Sequence, residues 1–341
     1  MAGRPEWFVK RDGGAIEKGP FSSSELNEFA RTGRLSPVHM VRQSHREEWR
    51  HAIKIKGLEF NVALDAMSST WGELEWSNWM KLEAPLSDYQ INVTKEPGFY
   101  RVRSSSCPGL VYVGQTGRDL RARTRSLARW AYSSLNEPPW NDPHTAASIL
   151  WAYQHEDGFQ YEVSVTSKHC DKPERQCHED YLLYLHRVQF GHTTLANLGR
   201  LHGWWTRPTN KRDGRPMNRR ESPEKYPSLP PAVGNINTLA PDWIGLEWSP
   251  FTPCLSKSIP SVAGIYRFKD GNELVYLGES KNLRSRIQAH SKTSRLNQCE
   301  VSVATMPNSA SHQLKEREVD MIGSFFRIYR CPPRYQYKPD K

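Results

Sequence analysis

The sequence predicts an α+β protein of several domains, built from small antiparallel sheets flanked by helices. The chain has 341 residues, more than one hydrophobic core usually serves. One order of strand and helix patterns also occurs twice along it. We therefore expect a small α+β module at 1–60, a first repeated domain at 70–206, a basic proline-rich linker at 207–240 and a second repeated domain at 241–341.

Composition narrows the class of partner and the compartment. A net charge of +10 and a pI near 9.3 favour a polyanionic partner such as nucleic acid, although basicity also serves solubility alone. The six cysteines are scattered without close pairs, which is typical of free thiols in a reducing compartment. Without a long apolar run, the sequence predicts a cytoplasmic protein with no membrane contact.

The N-terminal segment combines short β-rich runs with one helical pattern. Ser22 to Gly33 reads as a helix that begins with a Ser-x-x-Glu capping box. Trp7, the Gly19-Pro20-Phe21 turn and Trp49 give the segment a resemblance to the bacterial type of GYF-like domain, while the Gly-Tyr-Phe of the eukaryotic type is absent. The resemblance implies a protein-binding module, with the chain's own "YPSLPPAV" (Tyr226 to Val233) as one candidate ligand.

Five short motifs occur twice in the same order, which indicates a duplicated domain. The pairs are "GELEWS" and "GLEWS", "GFY" and "GIY", "LVYVG" and "LVYLG", "LRAR" and "LRSR", and "YEVSVT" and "CEVSVAT". In each copy they predict a hairpin, a helix, a third strand and a longer final helix. The final helices are expected at Pro173 to Phe190 and at roughly Ser309 to Phe326.

The two copies differ most between the first helix and the third strand. There 48 positions separate Gly114 from Glu162, against 22 from Gly278 to Glu300, and the excess is a Trp-rich segment. Between the copies, the polar, proline-rich stretch from Arg207 to Val233 has no sustained period, and its part from Arg207 to Lys225 carries seven Lys/Arg against three acids. The whole stretch reads either as a flexible solvated linker or as an arm that follows a nucleic-acid backbone.

A glutamate lies within the apolar stripe of each final helix. Glu179 has Leu182 and Leu183 at i+3 and i+4, and Glu318 has Met321 and Ile322. Burying a bare carboxylate is costly, so each glutamate should pair with an arginine or hold a cation. An ion pair with Arg123 or Arg286 is the simplest reading.

Each hairpin also presents two tyrosines close to a helical arginine. Tyr100 and Tyr112 form one pair, and Tyr266 and Tyr276 form the other. A neighbouring guanidinium favours the phenolate form of tyrosine. Phosphodiester hydrolysis needs a base for water, a cation for the developing charge and a carboxylate for Mg²⁺, and these residue types fill all three roles. An aromatic core with an ion pair stays open as the alternative.

The paired tripeptides of both copies resemble the GIY-YIG nuclease family, and "TGRDLRAR" and "SKNLRSR" resemble its first-helix arginine signature. The resemblance implies single-metal DNA hydrolysis by two small sheets flanked by helices. The implied site residues of the first copy are Tyr100, Tyr112, Arg123, Glu179 and Asn197, and those of the second are Tyr266, Tyr276, Arg286, His290 and Glu318. The two glutamates would bind Mg²⁺ or Mn²⁺.

Two positions depart from that pattern. Leu127 stands where the second copy has His290, and His144 is the candidate substitute, with a loop-capping role as its alternative. Gln336 stands where the second copy should carry the final asparagine.

The sequence thus predicts a Mg²⁺-dependent DNA endonuclease with one site for each strand, in a restriction or phage-defence setting. A structure-selective repair nuclease and a nucleic-acid-binding adaptor with a degenerate second site are the alternatives. Oligomeric state is left open.

Overall fold

The computed structural model describes residues 6–10, 17–32, 35, 39–59, 65–134, 145–208, 217–292 and 295–338. Within these residues the protein is α+β and multi-domain, as the sequence predicts, with small antiparallel sheets and helices packed on them. No helix in these residues is both long and apolar enough to cross a bilayer.

The N-terminal module is a four-stranded antiparallel sheet with one helix. Its elements are β1 (Glu6–Lys10), β2 (Lys18–Ser22), α1 (Ser23–Thr32), β3 (Met40–Gln43) and β4 (Arg50–His51), in the spatial order β2-β1-β3-β4. Helix α1 has the expected capping box, because Ser22 N donates to Glu25 Oε2 at 2.8 Å and Glu25 N donates to Ser22 Oγ at 3.2 Å. Leu26 and Ala30 on α1 are completely buried and anchor the small core of this module.

The first copy contains the predicted hairpin, third strand and final helix together with elements that the sequence did not reveal. Its elements are β5 (Met80–Lys81), α2 (Leu86–Asn92), β6 (Gly98–Arg103), β7 (Leu110–Thr116), α3 (Leu120–Ala131), α4 (Thr145–Asp157), β8 (Glu162–Ser167) and α5 (Lys172–Phe190). A short ribbon of β9 (Trp205–Thr206) and β10 (Asn218–Arg219) follows. Helix α4 lies in the Trp-rich insertion and packs on α3.

The second copy repeats this plan without the insertion. Its elements are β11 (Thr252–Pro253), β12 (Gly264–Asp270), β13 (Glu273–Ser280), α6 (Leu283–His290), β14 (Glu300–Thr305) and α7 (Ser311–Tyr329). The strand orders β5-β8-β6-β7 and β11-β14-β12-β13 are the same topology. Matching left-handed residues end the final helices, Gly191 at φ 79° and Arg330 at φ 55°. The duplication expected from the sequence is therefore present in the fold.

A buried arginine on the first hairpin strand is also duplicated. Arg101 on β6 is 1% exposed, lies over Trp76 at 4.5 Å and donates to the carbonyl of Ala66 at 2.6 Å. Arg267 on β12 lies over Trp248 at 4.3 Å in the same way. Burial lowers the pKa of both guanidinium groups, and the tryptophan faces and backbone carbonyls offset part of that cost. The tryptophan of each "LEWS" motif therefore packs against a buried arginine of its own copy.

The final helices α5 and α7 pack against each other and join the two copies. A Cβ on Gly323 would collide with the side chain of Tyr184, so glycine permits the close approach of the helices at this point. Tyr184 and Gly323 each lie five residues after the glutamate of their own copy. On either side of this contact, Arg187 pairs with Asp320, and Tyr181 packs on Phe326 at 5.4 Å. The helices therefore run antiparallel, with equivalent positions meeting about a pseudo-twofold axis.

Buried charges hold one end of this helix pair. The side chains of Arg187, Glu316 and Asp320 are completely buried. Arg187 Nε donates to Asp320 Oδ1 at 2.7 Å, and Arg317 Nη1 donates to Asp320 Oδ2 at 3.0 Å. Charged groups that water cannot reach must be paired with groups of opposite charge to offset their loss of hydration. The cluster therefore fixes α5 and α7 at one separation and register.

The proline-rich strap, Tyr226–Val233, is held by that same cluster. Leu229 N donates to Glu316 Oε2 at 2.7 Å, and Ala232 N donates to Asp320 Oδ2 at 2.8 Å. The expectation of a flexible, solvated linker is wrong for this stretch, because its backbone satisfies buried carboxylates. The proposed docking of the strap on the N-terminal module is also disfavoured, since the strap is already engaged between the copies.

Replacing Asp320 with alanine should destabilise the protein by about 3–5 kcal/mol, because Arg187 stays buried and loses its main carboxylate partner. Urea unfolding followed by circular dichroism measures the change. Glu75→Ala, at an exposed position, serves as the control and should shift stability by less than about 0.5 kcal/mol. An Asp320→Ala protein as stable as the control would show that the cluster does not hold the copies together.

Candidate active sites

The hairpin of each copy brings its tyrosine pair together at the glycine of the second tripeptide. Tyr100 lies opposite Gly114 in the strand register, and Tyr266 lies opposite Gly278. A Cβ at either glycine would collide with the ring of the opposing tyrosine. Glycine is therefore required here, since only its bare Cα leaves room for the tyrosine ring.

In the first copy the predicted tyrosines, arginine and glutamate form one cluster. The rings of Tyr100 and Tyr112 lie 5.8 Å apart, and Arg123 Nε donates to Tyr100 Oη at 3.1 Å. Arg123 enters from the first turn of α3, whose start is fixed by the Asp119 side chain accepting from Ala122 N at 2.8 Å. The charge of Glu179 on α5 acts on both tyrosines. The sequence-predicted set is thus assembled in space.

Burial dominates the electrostatics of this first cluster. It raises the pKa of Glu179 from 4.5 to about 7, while Arg123 and Arg175 act in the opposite direction. It also raises the pKa of Tyr100, although the neighbouring Arg123 favours the phenolate. Arg123 thus favours the phenolate, as the sequence predicts, but desolvation of the phenolate is the larger effect and the pKa of Tyr100 is raised.

Asn197 orients the hairpin. Its side chain accepts from Val113 N at 2.9 Å and donates to Val113 O at 2.8 Å, so the amide pairs with β7 as another strand would. Val113 directly follows Tyr112, and this contact sets the direction in which that tyrosine projects. Asn197 therefore acts on the site through the strand.

Gln336 has the same position in the second copy. Leu277 N donates to Gln336 Oε1 at 3.0 Å, and Leu277 directly follows Tyr276. The residues after the two amides, Leu198 and Tyr337, have matching left-handed φ values of 57° and 58°. Glutamine replaces asparagine here with the strand contact retained.

The second copy assembles its site with a histidine. Tyr266 Oη lies 2.9 Å from His290 Nε2 and accepts from Arg286 Nε at 3.3 Å. The rings of Tyr266 and Tyr276 are stacked with centroids 6.2 Å apart. A cavity of ≈ 260 Å³ opens beside them, and its lining includes Tyr276, Arg286, His290, Glu318, Gln336 and Tyr337.

Glu318 has a more acidic environment than Glu179. Burial raises its pKa from 4.5 to about 8, and the charges of Asp180 and Glu279 add to the increase, while Lys315 and Arg286 oppose it. Glu279 occupies the β13 position that corresponds to Gln115 on β7. In the first copy Gln115 accepts from Arg175 Nε at 2.7 Å. At this strand position the first site therefore has a glutamine bonded to an arginine, where the second has the carboxylate of Glu279.

The sites differ further at two equivalent positions. Leu127, at the position equivalent to His290, is buried in the core of the first copy. The candidate substitute His144 lies outside the described residues. Arg286 is exposed, whereas Arg123 is only partly exposed on a helix against which α4 packs. The second site is therefore the more open at its arginine.

The donor set fits a hard, hydrated cation. Each site offers one glutamate carboxylate beside two tyrosine oxygens, and oxygen ligands with retained water are what Mg²⁺ prefers. Among the described residues, no group of three or more His, Cys, Asp and Glu side chains forms a complete cage. One carboxylate per site is compatible with a cation that keeps most of its water.

Comparison with known proteins supports the N-terminal assignment. Residues 7–58 match the family model described as GYF domain 2, which covers the module built from β1 to β4. This agrees with the resemblance at Trp7, Gly19-Pro20-Phe21 and Trp49. No curated protein matches the chain significantly.

The raised pKa of Glu179 predicts a pH-dependent penalty on stability. Between pH 4.5 and about 7 the native protein retains a proton that the unfolded chain has released, so stability falls as pH rises through this window. In EDTA, Glu179→Gln should raise the thermal midpoint at pH 8 by about 3 °C and change it little at pH 4.5. Calorimetry of Glu179→Gln beside the exposed-site control Glu75→Gln tests this, and equal midpoints at pH 8 would contradict it.

Proposed function

We propose that the protein is a Mg²⁺-dependent DNA endonuclease of the GIY-YIG type with two active sites on one chain. The main support is that both copies converge on one arrangement. In each, two tyrosines, an arginine bonded to the first of them and a partly buried glutamate meet at the same end of the hairpin. If the repeated residues served only an aromatic core, that core would not require a glutamate with a raised pKa at equivalent positions of both copies.

The residues divide the chemistry of phosphodiester hydrolysis among them. Tyr266 is buried and neutral near pH 7, and His290 lies close enough to take its proton when it activates water. Arg286, bonded to the same hydroxyl, can also offset charge on the phosphate. A divalent cation held by Glu179 or Glu318 would neutralise further charge on the phosphate during hydrolysis.

The pseudo-twofold relation supports cleavage of both strands by one chain. The strands of a duplex run antiparallel, so a twofold pair of sites can present the same chemistry to each. The α5 and α7 contact holds the two sites in a fixed relation. We therefore assign one site to each strand, in a restriction or phage-defence setting.

Exposed basic side chains near both sites fit the DNA backbone. Arg125 and Arg129 project from α3, and Lys281, Arg284 and Arg286 lie on or next to α6. Together with the net charge of +10, they offer phosphate contacts on the helices that carry the site arginines.

For the N-terminal module we propose binding of a proline-rich peptide from another protein. The match to GYF domain 2 supports it. On the outer face of the sheet, Trp49 lies beneath Lys10 at 4.4 Å and Arg42 at 5.1 Å, which leaves an aromatic surface framed by positive charge. We place the protein in the cytoplasm, since all six cysteines are free thiols.

A supercoiled-plasmid assay tests the nuclease. With Mg²⁺, wild type should give linear product, while Glu179→Ala and Glu318→Ala should each give only nicked circles and the double variant no product. Loss of a metal-binding carboxylate should slow its site by roughly a hundred-fold or more. EDTA should abolish cleavage, and Glu75→Ala should cut as wild type does.

Two results would redirect the assignment. Cleavage confined to branched or lesion-bearing DNA would identify a structure-selective repair nuclease. Tight DNA binding with no metal-dependent cleavage of any of these substrates would identify a binding adaptor.

A proline-rich peptide should bind the full chain, and Trp49→Ala should weaken that binding about ten-fold or more because the aromatic anchor is lost. Titration calorimetry measures the affinity. Trp130→Ala, on α3, is the control and should bind as wild type does. Equal affinities for all three proteins would place the peptide site away from Trp49, and no binding to any of them would exclude the proposal.

A further inference from the structure

Two cationic side chains meet at the joint between the copies. A Cβ on Gly199 would lie 2.8 Å from Arg207 Nη2 and 3.4 Å from Lys315 Nζ. Gly199 lies in the first copy and Arg207 directly follows β9, whereas Lys315 lies on α7 of the second copy. Because glycine has no side chain, both cations border the space above its Cα.

Contacts on either side hold this pair in place. Arg207 Nη2 donates to the carbonyl of Gly199 at 3.3 Å. Arg200, the residue after Gly199, has its Nη1 atom 3.8 Å from Glu316 Oε1 on α7. Glu316 directly follows Lys315, so this ion pair fixes the turn at Gly199 against the helix that carries the lysine.

The pair is accessible and lies close to elements of both candidate sites. Gly199 and Arg207 are exposed, and Lys315 is half-buried. Gly199 comes two residues after Asn197, which bonds to β7. Lys315 lies three residues before Glu318, on the same face of α7. A ligand held by both cations would therefore contact both copies beside their sites.

The surroundings of Lys315 differ on its two sides. Toward the second cavity its charge opposes the increases in the pKa of Glu279 and Glu318. Toward Gly199 it meets the guanidinium of Arg207. Like charges that approach one point repel each other, and an anion placed there removes the repulsion. Guanidinium and ammonium groups each have several N–H donors, so both can donate to the oxygens of a single phosphate.

Positive charge also occurs on the other side of the pseudo-twofold axis. Asn197 and Gln336 are equivalent, so the position of Gly199 corresponds to Lys338. Lys338 is exposed and lines the second cavity. Cations on both sides of the axis suit a duplex, whose two strands are themselves related by a twofold axis.

Resting on the DNA substrate of the proposed function, we propose that Lys315 and Arg207 together bind one backbone phosphate of duplex DNA at the joint between the copies. This phosphate is not the one at which a strand is cut. The contact positions the duplex across both copies and carries no sequence information.

Duplex binding without cleavage tests the contact. In EDTA, fluorescence anisotropy with a labelled DNA duplex of random sequence gives the Kd over a series of KCl concentrations. Lys315→Gln and Arg207→Gln should each raise the Kd about three- to five-fold. The double variant should raise it by less than the product of these effects, because both side chains hold one phosphate. Its plot of log Kd against log salt concentration should lose about one unit of slope.

Matched losses of charge in the N-terminal module are the controls. Lys56→Gln and Arg46→Gln each remove an exposed cation and should change the Kd by less than about two-fold. Circular dichroism of each variant shows whether it is folded. Arg207 is exposed, so Arg207→Gln still tests the contact if Lys315→Gln does not fold.

The outcomes separate this proposal from the nuclease. An unchanged Kd and salt dependence in the double variant, fully multiplicative effects, or no duplex binding by wild type would overturn the shared phosphate contact, whether or not wild type cuts DNA. Coupled effects and a reduced slope in a chain that cuts no DNA would support the contact and contradict the nuclease. Stabilisation by inorganic phosphate that Lys315→Gln removes, without any change in duplex binding, would overturn the DNA contact and identify a site for free phosphate.

Discussion

The antiparallel packing of α5 on α7 is the contact on which the rest of the structure depends. Each helix carries the glutamate of its own copy and packs against the final helix of the other copy. The close approach at Gly323 and the buried charges around Arg187 and Asp320 permit one arrangement of the pair. Because buried charges tolerate little change in their separation, the two candidate sites are held as parts of one body.

Much of the secondary structure of each copy could be predicted from the sequence, because the patterns that indicate it lie within short segments. The hairpin, the third strand and α5 follow from apolar periodicity and from the paired tripeptides, and α1 follows from its capping box. The tyrosine, arginine and glutamate positions do come together in space. Elements without such signals were missed, among them the two-residue strands β5 and β11 and the helices α2 and α4.

What could not be predicted depends on contacts between distant segments. Tyr226–Val233 reads as a solvated linker because its proline content and polarity are those of one. The carboxylates that bind its backbone lie on α7, where they are buried beside Arg187 of α5. The hydrogen bond from Tyr337, which lines the second cavity, to Asp180 was hidden for the same reason, since the two residues lie 157 positions apart in the chain. The duplicated motifs showed which positions of the two copies are equivalent. They did not show how the surroundings of those positions differ.

The strap has a consequence for the order in which the molecule is assembled during synthesis. Helix α5 leaves the ribosome first, then the strap, and α7 only near the C-terminus. Until α7 appears, the carboxylates that neutralise Arg187 and receive the strap's amides do not yet exist. The first copy can therefore fold early, while the joint between the copies closes as one of the last steps. A ribosome-bound or prematurely terminated chain would carry the first tyrosine, arginine and glutamate cluster without its twofold counterpart.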